Sequence, residues 1–352
     1  MSNHRGASCL PLVCAVIALV ALDACGGAPP SPAARILSDQ GAEQLARGEL
    51  EEAEASLRLA LEIEPGSAAA HANLGLVALA RGELDEAEAQ LRGAIHARQD
   101  FVEAWSSLGV VLERRGRVEE AEHAYVHALS VNPGRAEPRL CLARLLVRRG
   151  RPAEARAHLL RLVALLPGDP EALGLLAWAE LRVDRPQAAA DLVARALETD
   201  PDAAAARFVH ALLRARRGEL APARETLEAL ETDTVLGHEA SLRIATIDAV
   251  SGELARAQQR ITQLLDDDPF DPAVRLVAGV IARDRGELDA ALAHAREART
   301  LAPDVAESWL LEAECCALLG DPTCAETALT RVPASTDAMH RERERVRTLM
   351  AR

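Results

Sequence analysis

Residues 101–134, FVEAWSSLGVVLERRGRVEEAEHAYVHALSVNPG, decide the fold. Trp105, Leu108 and Leu112 form one apolar stripe at helical spacing, and Ala121, Tyr125 and Ala128 form a second. Gly116 interrupts the pattern between them, and Asn132-Pro133-Gly134 closes it. This predicts a helix, a tight turn and a second helix. Moving outward in steps of 34 residues, the alanine of the second stripe recurs at Ala53, Ala87, Ala121, Ala155, Ala189, Ala223, Ala257, Ala291 and Ala325. The turn glycine recurs as Gly48, Gly82, Gly150, Gly218, Gly252, Gly286 and Gly320, with Asp184 once in its place. The closing proline recurs as Pro65, Pro167, Pro201, Pro269 and Pro303, and gives way to Gln99 and Val235. Nine copies in unbroken phase describe one array whose units pack on their sequence neighbours, rather than several separate domains.

Trp105, Leu108, Gly109, Leu112, Gly116, Ala121, Tyr125, Ala128 and Pro133 stand where the tetratricopeptide repeat (TPR) has its signature residues. The chain resembles a TPR protein over most of its length. That resemblance implies an all-α fold, a right-handed α-solenoid of about nine 34-residue helix-turn-helix units with a C-terminal capping helix. The expected organisation is a signal peptide over 1–24, a tether over 25–33, the nine units over 34–339 and the capping helix over 335–352. The first and second helices of a repeat are A and B below, and positions are counted with Val102 as position 1.

Composition narrows the function. The net charge is -14, and an acidic surface repels a polyphosphate backbone, which argues against nucleic acid as a principal ligand. Aromatic residues make up only 2% of the chain, so small-on-branched packing of alanine against leucine must fill the space between helices. All 40 residues of the lysine-plus-arginine count are arginine, which reads as a nucleotide-composition bias rather than a design for guanidinium chemistry.

The N-terminus reads as a targeting segment. His4 and Arg5 precede an apolar run from Leu10 to Leu22 that contains Pro11. That run is shorter than the roughly 20 residues a spanning helix needs, so it reads as a signal peptide. Leu22-Asp23-Ala24-Cys25 resembles the lipobox of bacterial lipoproteins, in which the cysteine is lipidated, although Asp23 departs from the small or hydroxylated residue usual there. The other reading is an ordinary cleaved signal with an incidental Cys25. By resemblance to enterobacterial lipoproteins, Gly26 after the cysteine favours the outer membrane. The proline- and glycine-rich stretch that follows is the tether.

Within the array, acidic residues such as Glu51, Glu52, Asp85, Glu86, Glu119 and Glu120 open helix B and complement its dipole. Pro152 and Pro186 start helix B in repeats 4 and 5, where a missing amide costs little. Repeats 6 and 7 place His210, Arg214 and Asp248 at normally apolar positions, and residues 232–237 replace the proline-bearing junction, so a looser or kinked seam is expected there. At the far end, Ala338, Met339, Val346, Leu349 and Met350 share the face of a capping helix.

The TPR resemblance implies that positions 2, 5, 9, 12 and 13 of helix A line a concave groove. Here they include Leu76, Leu79, Val110, Leu140, Trp178, Leu181, Phe208, Leu212, Leu242, Leu276 and Val280. An apolar strip in an acidic array suits a protein segment presenting apolar side chains. The alternative is that neighbouring helices bury the strip. Position 13 is arginine in four consecutive repeats, as Arg114, Arg148, Arg182 and Arg216, joined by Arg144 one turn earlier in repeat 4. Such a row can hold carboxylates or phosphates through forked hydrogen bonds. Equally, cations suit the last turn of a helix, and Glu103, Glu137 and Glu171 mirror them at its start. The lysine-and-asparagine clamp of chaperone-binding TPR proteins is not supported, because only Asn73 matches it.

Catalytic and metal patterns are weak. His123 and His127 lie at i, i+4 with Glu119 one turn before, a metal-like spacing on a helix expected to face solvent, and no metal site is assigned. Asp266-Asp267-Asp268 lacks the spacing of a calcium loop. Cys324 could pair with Cys315 or Cys316 to close one hairpin, or all could be separate thiols. No nucleophile motif, P-loop or dinucleotide fingerprint occurs. The expectation is therefore a binding protein, not an enzyme, with no cofactor and no small-molecule substrate. It is expected in the cell envelope, lipid-anchored through Cys25 at the periplasmic face of the outer membrane, with protein segments in its groove. The chain resembles pilotin and pilus-biogenesis TPR lipoproteins, which implies help in assembling a pilus or secretin complex. An adaptor for polysaccharide-export or cell-wall enzymes and a periplasmic receptor domain of a signalling pathway are the competing readings.

Overall fold

A computed structural model describes residues 31–233, 236–332 and 337–350. The expected signal peptide, Cys25 and the tether up to residue 30 lie outside the described residues. Among those described, every regular element is helical. Repeats 1 to 5 are the pairs α1 (Pro32–Ala46) and α2 (Leu50–Ile63), α3 (Ala68–Arg81) and α4 (Leu84–Ala97), α5 (Val102–Arg114) and α6 (Val118–Val131), α7 (Ala136–Arg148) and α8 (Pro152–Leu165), and α9 (Pro170–Arg182) and α10 (Pro186–Thr199). Repeats 6 to 9 are α11 (Ala204–Arg216) and α12 (Leu220–Glu228), α13 (Gly237–Val250) and α14 (Leu254–Asp267), α15 (Pro272–Asp284) and α16 (Leu288–Leu301), and α17 (Ala306–Leu318) and α18 (Pro322–Arg331). α19 (Asp337–Met350) follows. Pro32 and Ala33 belong to α1, so the first helix begins inside the stretch expected as tether. The result is an all-α solenoid of about nine repeats.

The 34-residue register works through a few local devices. At the A-to-B turn, Gly116 takes φ 74°, and the Arg117 amide reaches back to the Leu112 carbonyl at 2.9 Å. That left-handed cap satisfies carbonyls the helix end would orphan. In repeat 5, Asp184 holds the same conformation at φ 58°, where a Cβ is strained. Gly109 is required for another reason. A Cβ there would collide with the buried Tyr125 ring, so glycine sets how closely α5 and α6 approach.

Position 4 explains the entry to helix A. Trp105 Nε1 donates to the Gln99 carbonyl at 2.8 Å, and Trp309 Nε1 to that of Pro303 at 2.9 Å. His71 Nε2 donates to Pro65 at 3.0 Å, Arg275 Nε to Pro269 at 3.0 Å, and Arg139 Nη2 to Pro133. A side chain that carries an N–H at this position thus satisfies the loop carbonyl six residues upstream, whether the residue is aromatic or cationic.

The chain forms two compact units, one up to Val209 and one from His210. In the first, Leu57 and Ala60 of α2 are sealed between Leu45 of α1 and Leu74 and Val77 of α3. In the second, Ile261 and Leu264 of α14 sit between Leu242 of α13 and Val274 and Ile281 of α15. In these two repeats helix B is therefore clamped by its own helix A and the next, and each such leucine or isoleucine contributes about 1.5–3 kcal/mol. Val346 of α19 closes the series on Ala313, Ala328 and Leu329.

At the seam of repeats 6 and 7, expected to be looser or kinked, residues 234 and 235 lie outside the described residues. α12 has only 9 residues where α10 has 14, which shortens the second helix. Gly237 then starts α13 against the Glu231 carbonyl, with no room for a side chain. Asp248 is not a gap either. It is 1% exposed and lies 3.1 Å from Arg224 Nη1. Cys324 is bonded to Cys316, tying α18 to α17, while Cys141 and Cys315 are buried thiols. No helix among the described residues is long and apolar enough to cross a membrane.

Candidate functional site

The expected groove residues fall into two groups. Leu79, Val110, Leu140, Trp178, Phe208 and Leu242 are between 0 and 6% exposed. A side chain with so little surface packs against its neighbours and has none to offer a ligand. Trp178 and Phe208, for example, meet edge to face with ring centroids 5.1 Å apart. These six are corrected from groove lining to core. Leu76, Leu181, Leu212, Leu276 and Val280 remain half-buried.

What remains on the helix A layer of the first unit is charge. Arg114 at position 13 donates from Nη1 to the Leu79 carbonyl at 3.2 Å, which caps the end of the preceding repeat's helix A. Arg148 pairs with Glu113, which also accepts the Tyr125 hydroxyl at 3.1 Å. Arg144 pairs with Glu171 at the start of the next helix A, and Arg135 pairs with Glu103. Arg182, by contrast, is exposed and has no ion-pair or hydrogen-bond partner among the described residues. Arg216, also exposed, belongs to the second unit. The two sequence readings of the row thus divide by rung: two arginines serve the fold, and Arg182 is open to a ligand.

Glu137 adds the one strongly perturbed carboxyl of this layer. Burial pushes it up to about 7, the negative charge of Glu103 adds to the rise, and Arg135 and a bond from Ser106 oppose it. Its proton state therefore changes near neutral pH. Asn73 is half-buried.

A second set of charged residues went unrecognised in the sequence. Position 21 of helix B is Glu54, Glu88 and Glu122 in repeats 1 to 3, and each meets one or two arginines at the end of helix A or in the turn of the next repeat. Glu54 pairs with Arg81, Glu88 with Arg115 at 3.0 Å and Arg117 at 2.8 Å, and Glu122 with Arg149 at 3.2 Å and Arg151 at 2.6 Å. In repeats 4 and 6 the same position is Arg156 and Arg224, with the opposite charge. Arg156 reaches Glu180 at 2.7 Å and Arg224 reaches Asp248 at 3.1 Å, both acids lying at position 11 of the next helix A. The 34-residue recurrence of acids was the signal that could have exposed this seam.

The metal-like pattern has a packing explanation. His127 stacks on Trp105 with centroids 4.0 Å apart. Among the described residues no group of three or more histidine, cysteine or acidic side chains could hold a metal ion. Asp268, in the acidic run, caps the turn by accepting the Phe270 amide at 3.0 Å.

Stacked helical hairpins with ion-paired junctions define a repeat array, a class whose members generally act as protein-interaction scaffolds. The chain belongs to the tetratricopeptide repeat family, whose profiles match residues 38–100, 73–133, 112–179, 175–234 and 242–306. No curated protein matches it. Among solved structures it is similar to YrrB, described as a TPR protein with an unusual peptide-binding site, at 22% identity over 48% of this chain and 88% of that one, with a TM-score of 0.42. It is also similar to a tetratricopeptide repeat protein from Parabacteroides merdae, at 19% identity over 80% and 98% with a TM-score of 0.44. A third is TTC0263 from Thermus thermophilus, at 23% identity over 51% and 98% with a TM-score of 0.41.

Proposed function

We propose that the protein is a lipid-anchored adaptor of the cell envelope that holds acidic segments of other proteins along the helix A layer of its first unit. Arg182 carries this reading: it is exposed and has no partner among the described residues, in a row whose neighbours Arg114 and Arg148 are already engaged. A guanidinium in that state offers a forked pair of donors to an aspartate or glutamate at little desolvation cost. Leu22-Asp23-Ala24-Cys25 supports the anchor, with Cys25 as the lipidated residue and the periplasmic face of the outer membrane as the location. The segments bound would belong to subunits of an envelope machine such as a pilus or secretin complex.

The test is binding of a fluorescent acidic peptide, rich in aspartate and glutamate, measured by anisotropy against a glutamine-substituted control. Arg182→Ala should weaken the acidic peptide about ten-fold and leave thermal unfolding unchanged. Equal affinity for both peptides, or for both proteins, would remove Arg182 from the site. Incorporation of an alkyne fatty acid that survives Cys25→Ser would contradict the anchor.

A further inference from the structure

In repeats 2, 3 and 8, position 4 of helix A faces position 26 of helix B, and each fills that slot differently. In repeat 3, Trp105 stacks on His127 at 4.0 Å. In repeat 8, Arg275 Nη1 pairs with Glu297 at 2.8 Å. In repeat 2, His71 lies against Gly93, where an added Cβ would sit 3.1 Å from the ring nitrogen. The same two positions in repeat 4 are Arg139 and Arg161, two cations in the slot that holds stacked rings in repeat 3 and opposite charges in repeat 8.

No carboxylate lies within ion-pair distance of either arginine among the described residues. Arg139 is only 3% exposed. Its Nη2 is committed to the Pro133 carbonyl, and its Nε is buried with no partner. One turn before Arg161 on α8, His158 brings a third nitrogen, and its Nδ1 is also buried and unpartnered. The groups sense each other. Burial, and then the charge of Arg161, hold the Arg139 guanidinium below its ordinary range, while burial, Arg139 and Arg161 depress His158. The carboxylates nearest His158 do not supply the missing charge, because Arg151 engages Glu154 at 2.7 Å and Glu122 at 2.6 Å.

We propose that this slot is an oxyanion site that binds a phosphate group between Arg139 and Arg161, with His158 at its edge. A guanidinium withdrawn from water without a counter-charge is costly, and an anion offsets that cost while accepting from the idle nitrogens. Phosphate suits the geometry because it is tetrahedral, carries up to two charges and can accept from two helices at once. Arg161 is exposed, so its side chain can swing to admit the anion. The inference stands apart from the partner-binding reading, since the slot lies between α7 and α8 and not on the position-13 row.

The test is calorimetric titration of the full chain with inorganic phosphate, with ionic strength held constant by sodium chloride. Saturable binding of one phosphate is expected, weakened about ten-fold in Arg161→Ala. Arg161→Glu rebuilds the pairing of Arg275 with Glu297, so it should abolish phosphate binding and raise the thermal midpoint in phosphate-free buffer. Glycerol 3-phosphate separates the sources: comparable binding points to the head of an organic phosphate, and exclusion points to the free anion. Heat no greater than that of the matched chloride titration would overturn the site. So would wild-type affinity in both Arg161 variants.

Discussion

At the junction of repeats 3 and 4, Arg149 and Arg151 close on Glu119, Glu122 and Glu154, whereas on the helix A layer Arg182 is exposed with no partner among the described residues. Glu119 and Glu122 reach the first from the preceding repeat, because helix B of one unit and the turn of the next are fixed at close range by the register. The second sits where the corresponding acid is missing: Arg148 has Glu113 at position 12 of the previous repeat, but Arg182 has Val147 there. Partnering, rather than residue type, separates the arginines that hold the array together from those, such as Arg182, that no carboxylate engages among the described residues. The seam teaches a second point. Position 21 keeps its place while its charge reverses, and the acids that meet Arg156 and Arg224 are buried, at 4% exposure for Glu180 and 1% for Asp248, as Glu88 is at 8%.

The largest effect expected from breaking this arrangement is in the second unit. Arg224→Leu leaves Asp248 buried and ionised without its partner, and should cost about 3 kcal/mol by denaturant unfolding. A loss below about 1 kcal/mol would class the pair with exposed surface bridges. The converse change has the opposite sign. Burial raises the Asp248 carboxyl above its ordinary range against the pull of Arg224, and Arg224 keeps Glu228 at 2.8 Å and Glu253 at 3.6 Å when Asp248 is removed. Asp248→Leu should therefore stabilise the unit by about 1–2 kcal/mol at neutral pH. The gain should shrink as pH falls through the raised pKa and the wild-type acid is neutralised.

On the helix A layer the matching case is Glu137, a carboxyl with a like charge nearby. Its folded value of about 7 lies above the ordinary 4.5, so the native state holds the proton more tightly than the unfolded chain. Wild-type stability should then fall as pH rises between those values and level off above them. Glu137→Gln should remove that slope, matching wild type near the ordinary carboxylate pKa and exceeding it by about 1 kcal/mol at pH 8, as parallel thermal scans would show. A smaller gain is expected from Asp184→Gly, which relieves φ 58° at the one turn that lacks glycine. About 0.5 kcal/mol is expected in urea unfolding, and a loss would mean the aspartate side chain contributes more than the strain costs.

The fold was legible because its determinants are local and periodic. Gly116, Ala121 and Pro133 each serve a backbone need that recurs every 34 residues, so a pattern in the chain becomes a pattern in space. The binding surface was less legible. A family position states which way a side chain points from its own helix, but not what the neighbouring helix lays over it, which is how Phe208 and Trp178 came to be core. Asp248 looked like a misfit for the same reason. Its partner Arg224 lies on a different helix, and the sign reversal at position 21 hid the recurrence that Glu54, Glu88 and Glu122 display.

The central claim is that partners meet the exposed helix A surface at Arg182 and not the helix B surface. The most direct measurement is photo-crosslinking in the native host from position 182, with a probe at Val126 on helix B, 49% exposed, as control. The account predicts one protein trapped from position 182 alone, with the adduct mapped to an acidic segment of that protein. The same proteins trapped from both positions, or an adduct in a segment without carboxylates, would contradict it.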